Sequence, residues 1–235
     1  ALAQEFQEWP DRAERVNVVP NAVNLEEYQR NRTREEARQL IGLPTDGVLL
    51  AAIGQIGPRK GGDIILDAFA RLVDRYPGAR LMFVGDPHRG QEAFAEELKR
   101  RAAQPPLAGR VHFFPFSENV LPYYEAADVN LLVSRQEGFG RTIIESAAVG
   151  LLSIGAHVGG IGEIIVDGLT GRLVPPENSE ALAQAMEQML ANEALRAEMA
   201  EEAFRHVAQH FSHKAHAARI MDLYDLTLEK KAATL

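Results

Sequence analysis

A chain of 235 residues, 46% of them apolar, has enough material for one large core or two small ones, which excludes global disorder. It has no cysteine, so neither a disulfide framework nor a thiolate metal site is available. A net charge of −8 argues against nonspecific nucleic-acid binding, and no apolar run is long enough to span a bilayer.

Residues 1–14 are polar and read as a linker or approach segment, and no charged-then-apolar leader opens the chain. The run from Arg15 to Pro20 is short, apolar and stopped by Pro20 and Asn21, the pattern of a strand ending in a turn. Thr33-x-x-Glu36 is a capping box opening a short helix that Gly42 ends. Residues 47–54 form a continuous apolar strand. A helix follows from Gly62 to Tyr76, with Ile65, Phe69, Leu72 and Val73 on one face. A strand at 80–85, a charged helix around 90–103, a strand at 111–114, a short helix over 118–127 and a strand at 128–134 come next. A helix carrying Glu145 leads to a strand at 151–155. From Ser179 the chain turns helical, with Leu182, Ala185, Met186, Met189 and Leu190 in one stripe, and helices near 193–209 and 213–230 finish it. Strands with little polar alternation between amphipathic helices predict an α/β fold, a doubly wound parallel sheet of about six strands with a helical C-terminal extension.

Glu145 is the only charged side chain between Thr142 and Ala156. Burying it unpaired would cost several kcal/mol, so it needs donors. Eight positions earlier Glu137 opens Glu137-Gly138-Phe139-Gly140, and a Gly-rich turn feeds the helix between them. Backbone N–H groups around Gly138, Gly140 and Thr142 are placed to cap an anionic or hydroxyl group. The alternative is an exposed Arg141–Glu145 pair at i, i+4, worth about 0.3–0.5 kcal/mol, which does not explain the apolar neighbours of Glu145. A second loop runs from Gly54 through Gln55, Gly57, Arg59 and Lys60 to Gly62, again between strand and helix. Glycines there admit a close ligand, and Lys60 suits a phosphate. Neither a Walker loop nor G-x-G-x-x-G is present, so a glycine-rich connector with solvated charges is the other open reading. A third run, Val158 to Glu163, has glycines at 159, 160 and 162; they leave room for a ligand or simply make a tight turn with Glu163 at a helix start. His206, His210 and His213 have helical spacing, but Phe211-Ser212 reads as a break with Ser212 capping the last helix, which argues against a shared metal face.

VVPNAVN, IGQIGPRKGGDIILDAF, LMFVG, VHFFPF, YYEAADVNLLVS, EGFGRTIIESAAVG and GGIGEIIVDGLTGRLVP together resemble, in order, the C-terminal, donor-binding half of retaining nucleotide-sugar glycosyltransferases of the GT-B fold, the group 1 or family 4 type. The resemblance runs from about Val16 to the last helix. It implies a nucleotide-sugar domain over 15–235, an acceptor-binding N-terminal domain that this chain lacks, and a fragment inactive by itself. It implies that Glu145 bonds the ribose hydroxyls of a UDP-, GDP- or ADP-sugar and Glu137 the hydroxyls of the sugar. Backbone at Gly138, Phe139, Gly140, Arg141 and Thr142 would meet sugar and diphosphate. The loop of Gly54, Gln55, Arg59 and Lys60 would hold the diphosphate, and main chain near Phe116 would face the base. Glu137 and Lys60 would be the catalytic pair. Neither metal nor cofactor is expected, since no Asp-x-Asp clamp occurs. The other implied partners are the enzyme's own N-terminal domain and a membrane surface touched peripherally, in a cytoplasmic setting. Ile220, Leu223, Tyr224, Leu226 and Leu228 of the final helix would then form an apolar patch. One departure stands out: Gln55 occupies a position the family gives to arginine. A degenerate domain that only binds partners is the competing reading, and an NAD-dependent oxidoreductase is a remote third.

Overall fold

The computed structural model describes residues 17–232. Six parallel strands make one sheet: β1 (Leu49–Ile53), β2 (Arg80–Val84), β3 (Val111–Phe114), β4 (Val129–Leu132), β5 (Ser153–Ala156) and β6 (Gly171–Val174). Their order is β3-β2-β1-β4-β5-β6. Alternation along each central strand sorts its side chains between two cores. Leu50, Leu81 and Phe83 point into a cluster with Ile65 and Phe69 of α2 (Gly62–Ala70), Leu98 of α3 (Glu92–Ala102) and Met186 of α7 (Ser179–Ala191). Leu49, Ala51, Ile53, Met82 and Val84 point the other way, against Ala37 of α1 (Arg34–Leu40) and Tyr124 of α4 (Leu121–Ala126). Both faces are therefore covered, which is why these strands read as unbroken apolar runs. A third cluster joins α5 (Arg141–Ala148) and α6 (Ile161–Ile164) to α8 (Glu193–His210), and α9 (His213–Ala232) follows.

The capping box at Thr33 forms as expected: the Glu36 N–H donates to Thr33 Oγ1 at 3.2 Å, and the Thr33 N–H to Glu36 Oε2 at 2.9 Å. Two expectations need correction. Residues 17–22 form no strand, and residues 1–16 lie outside the described residues. Both neighbours of β1 are already in place, and Pro20 has no N–H to contribute to a ladder. Val23 instead makes a single parallel bridge with Ser212, beyond the end of α8. The sixth strand is β6, paired to β5 from Ser153↔Gly171 to Ala156↔Val174. Its four residues, Gly171 to Val174 ahead of Pro175, carry too little period to be read locally. The helix expected to reach Tyr76 ends at Ala70, and tighter bonds such as Leu72 N–H to Phe69 O continue the chain.

The strand order reverses between β1 and β4. In an open α/β sheet the crevice outside the carboxyl ends of the strands at such a point is the place for a ligand. The loops that leave β1 and β4 are the two that carry Lys60 and Glu137.

Candidate functional site

Gly54 ends β1, and a 3-10 turn at Pro58–Lys60 leads through Gly61 into α2. Gly61 has φ +67°, and a Cβ there would stand 2.3 Å from the carbonyl oxygen of Val133 at the end of β4. The loop can lie against β4 only because this residue has no side chain. Arg135 fastens the two loops. Its N–H donates to Arg59 O at 2.8 Å, and its guanidinium to Pro58 O at 2.6 Å, to both Asp63 oxygens at 3.0 and 2.9 Å, and to Glu177 at 2.8 Å. Burial works to raise the Asp63 pKa, but the hydrogen bonds and charge of Arg135, together with backbone N–H donors at the start of α2, outweigh it and hold the carboxyl below its ordinary value. The hydrogen bond with Asp63 raises the guanidinium's own pKa in turn. Nothing in the sequence singles out Arg135, because its partners are remote in the chain.

Between these loops Lys60 Nζ donates to Glu137 Oε2 at 2.6 Å, and Ser134 Oγ donates to the same oxygen at 3.1 Å. Only 22% of the Lys60 side chain and 12% of the Glu137 side chain are exposed, so the pair is largely shielded from water. Arg59 is half exposed; it donates to Gln136 O at 3.1 Å and reaches Glu137 Oε1 at 4.0 Å. The third glycine run, for which ligand room and a tight turn were both open readings, lies against the Glu137 loop. A Cβ on Gly159 would fall 1.7 Å from Glu137 O, and one on Gly160 would fall 2.8 Å from Gly138 O. These glycines admit the Glu137 loop itself, which is braced further by Phe139 against Phe211 at 5.9 Å between ring centroids.

Glu145 sits on α5, in a buried position, with its own donors. The Tyr124 hydroxyl donates to Oε2 at 3.0 Å, and Arg141 approaches Oε1 at 3.2 Å. Tyr28 lies edge-on to Tyr124 at 6.2 Å. Burial, then the charge and hydrogen bonding of Glu145, raise the phenol pKa of both tyrosines. The i, i+4 contact with Arg141 weighed as the alternative therefore exists, but on a buried carboxylate whose buried partner is a tyrosine that sequence spacing does not indicate. Glu137 and Glu145 share no partner among the described residues; each is held separately. At the start of α5 the Thr142 hydroxyl oxygen is buried without a hydrogen-bond partner.

Gln55 is exposed and lines a cavity of about 410 Å³ with Arg59, Lys60, His88 and Gln91. Phe116 is 65% exposed, and its N–H donates to Asp86 Oδ1 at 3.2 Å. Asp86 O accepts from the Ile56 N–H at 2.9 Å, so Phe116 stands at the same edge as the Gly54 loop. A cavity of about 450 Å³ lined by Arg30, Arg34 and Asp128 lies at the opposite, amino edge of the sheet, away from the switch point. The rings of His206 and His210 lie tilted with centroids 4.8 Å apart on α8, whereas His213 opens α9, where Ser212 Oγ accepts from the Ala215 N–H at 3.2 Å. The helix break read from Phe211-Ser212 is real.

With this geometry in place, comparison with known proteins is decisive on kinship. Residues 33–206 match the family model of the glycosyl transferases group 1. The chain belongs to that family. It is 33% identical to the D-inositol 3-phosphate glycosyltransferase of Streptomyces coelicolor, over 97% of this chain and 53% of that protein. Against the protein of that name from Rhodococcus opacus the identity is 33%, over 89% and 48%. This group 1 chain thus spans about half the length of the curated relatives it matches. Among solved structures, Anabaena HepE in complex with UDP is 25% identical with a TM-score of 0.88, over 95% of this chain and 61% of that one. The C-terminal domain of a group 1 glycosyl transferase, LpcC of Francisella tularensis, superposes over 81% of this chain and 99% of its own with a TM-score of 0.76. At 24% identity that likeness concerns the fold alone. The Rossmann-like sheet is that of GT-B glycosyltransferases, as the motif order indicates. No helix of the described residues is long and apolar enough to cross a membrane.

Proposed function

We propose that this chain is the donor-binding domain of a retaining glycosyltransferase, acting on a nucleotide diphospho-sugar. The observation that carries the reading is the junction at the switch point: Lys60 and Glu137, from two different loops, held at 2.6 Å, with a buried carboxylate at Glu145 on the helix that follows. Glu145 accepts hydrogen bonds from the ribose hydroxyls, adjacent donors of the kind a desolvated carboxylate needs. Glu137 holds hydroxyls of the transferred sugar. Lys60, assisted by Arg59 and Gln55 and by amides after Gly54, stabilises charge on the departing diphosphate. Amides from Gly138 to Thr142, at the start of α5, face the sugar and the inner phosphate, and main chain at Phe116 faces the base. Catalysis on this reading is positioning plus electrostatic stabilisation, without metal or cofactor.

The acceptor is held by a second, N-terminal domain outside residues 15–235. By itself this chain binds donor and transfers nothing. The full-length enzyme would work in the cytoplasm, with peripheral membrane contact where its acceptor requires it. UDP is the first nucleotide to test, because a neighbour of the same fold binds it. Calorimetry should show UDP, GDP or ADP binding, and Glu145→Ala should weaken that binding by about tenfold or more, the worth of hydrogen bonds to a charged group. Unchanged affinity in Glu145→Ala would remove the ribose role. One observation favours the competing reading of a degenerate binding module: Gln55 puts a neutral amide in an exposed position that faces the same cavity as Lys60. An intact fold that binds no nucleoside diphosphate at millimolar concentration decides for it.

A further inference from the structure

We infer that Tyr124 is a positioning residue: its buried hydroxyl seats the Glu145 carboxylate for the nucleotide's ribose. This rests on the donor-binding reading above. Tyr124 is completely buried under the helix that carries Glu145, and its hydroxyl donates to Glu145 Oε2 at 3.0 Å. Buried in this way beside a carboxylate, the phenol keeps its proton and remains a donor. A competing attraction acts from outside. Arg141 stands 3.2 Å from Oε1 with 70% of its side chain exposed, one turn earlier on α5. Tyr28 also hydrogen-bonds Glu145 but is only partly buried, so without the Tyr124 phenol the carboxylate loses its one fully buried donor and is drawn outward towards the exposed guanidinium. A ribose would then have to pull it back, at the expense of affinity. Tyr28, edge-on to Tyr124 from the segment before α1, closes the remaining side of the seat.

Tyr124→Phe keeps the ring and removes only the donor. The test compares UDP with 2′,3′-dideoxyuridine diphosphate by calorimetry on wild type, Tyr124→Phe and Arg141→Gln, with GDP or ADP and its dideoxy form in their place if that nucleotide binds better. Wild type should prefer the ribonucleotide. Tyr124→Phe should lose about tenfold of its affinity for the ribonucleotide while the dideoxy form binds as before. A merely structural role would weaken both ligands alike. Arg141→Gln should raise the preference, since the outward attraction is gone; this arm decides the matter even if Tyr124→Phe does not fold. If wild type does not distinguish the two ligands, the ribose role of Glu145 falls, and Tyr124's with it. If wild type discriminates and Tyr124→Phe discriminates equally, or if Arg141→Gln lowers the preference, the role of Tyr124 is overturned while the donor-binding reading stands.

Discussion

Gly61→Ala should be far more damaging than its conservative chemistry suggests. Two costs add. At φ +67° an alanine sits in the left-handed region, at about 1–2 kcal/mol. Its Cβ would also meet Val133 O at 2.3 Å, roughly 1 Å inside an ordinary C···O approach, and relieving such overpacking typically costs about 1–3 kcal/mol. The total is about 2–5 kcal/mol. Gly42→Ala separates the two costs, because Gly42 has φ +74° with nothing within 4 Å of the added Cβ. It should lose only the conformational part, about 1–2 kcal/mol. Urea unfolding of both variants measures the difference directly. The neighbouring Lys60 must move with the displaced loop, so its contact with Glu137 lengthens and nucleotide affinity drops in Gly61→Ala but not in Gly42→Ala. Equal destabilisation of the two variants, with equal affinity for UDP, would refute the claim that the loop's closeness to β4 builds the site.

Asp128→Ala should cost about 3–5 kcal/mol in urea unfolding, because it strands Arg38, only 2% exposed, without the carboxylate 2.5 Å away. The same change orphans the Leu49 N–H, which donates to Asp128 at 2.7 Å. The Arg135–Asp63 clamp predicts a pH dependence. The folded Asp63 pKa is below its unfolded value, so its contribution is present above about pH 3.9 and is lost as pH falls through the folded value. The stability gap between wild type and Arg135→Gln should therefore narrow as the pH is taken from 6 towards 2; a gap that stays constant means the clamp adds no charge-linked stability.

Much of the architecture was legible because it depends on local pattern. β1 is a continuous apolar run, β2 is one after Arg80 and β4 is interrupted only by the buried Asn130, because both faces of the sheet are covered, and the Thr33 box and the Ser212 cap work within three residues of chain. Where local pattern was thin, the reading failed: Gly171–Val174 is four residues long, and residues 17–20 of the apolar run ending at Pro20 had the composition of a strand but form none. At the site, the glycines of 159 and 160 illustrate the limit of composition. A glycine shows that something approaches closely, and only the fold shows that the Glu137 loop does so.

By itself, then, the chain's pattern determined the α/β class, the two loops that matter and the need of Glu145 for donors, since each follows from the apolar or polar character of neighbouring residues. Tertiary structure alone decided who meets whom. Lys60 finds Glu137 across 77 positions, Arg135 finds Asp63 across 72, and Glu145 finds Tyr124 across 21. The reason is the strand order: β1 lies beside β4, so the loops leaving them share one crevice, and no feature local to either loop encodes that adjacency.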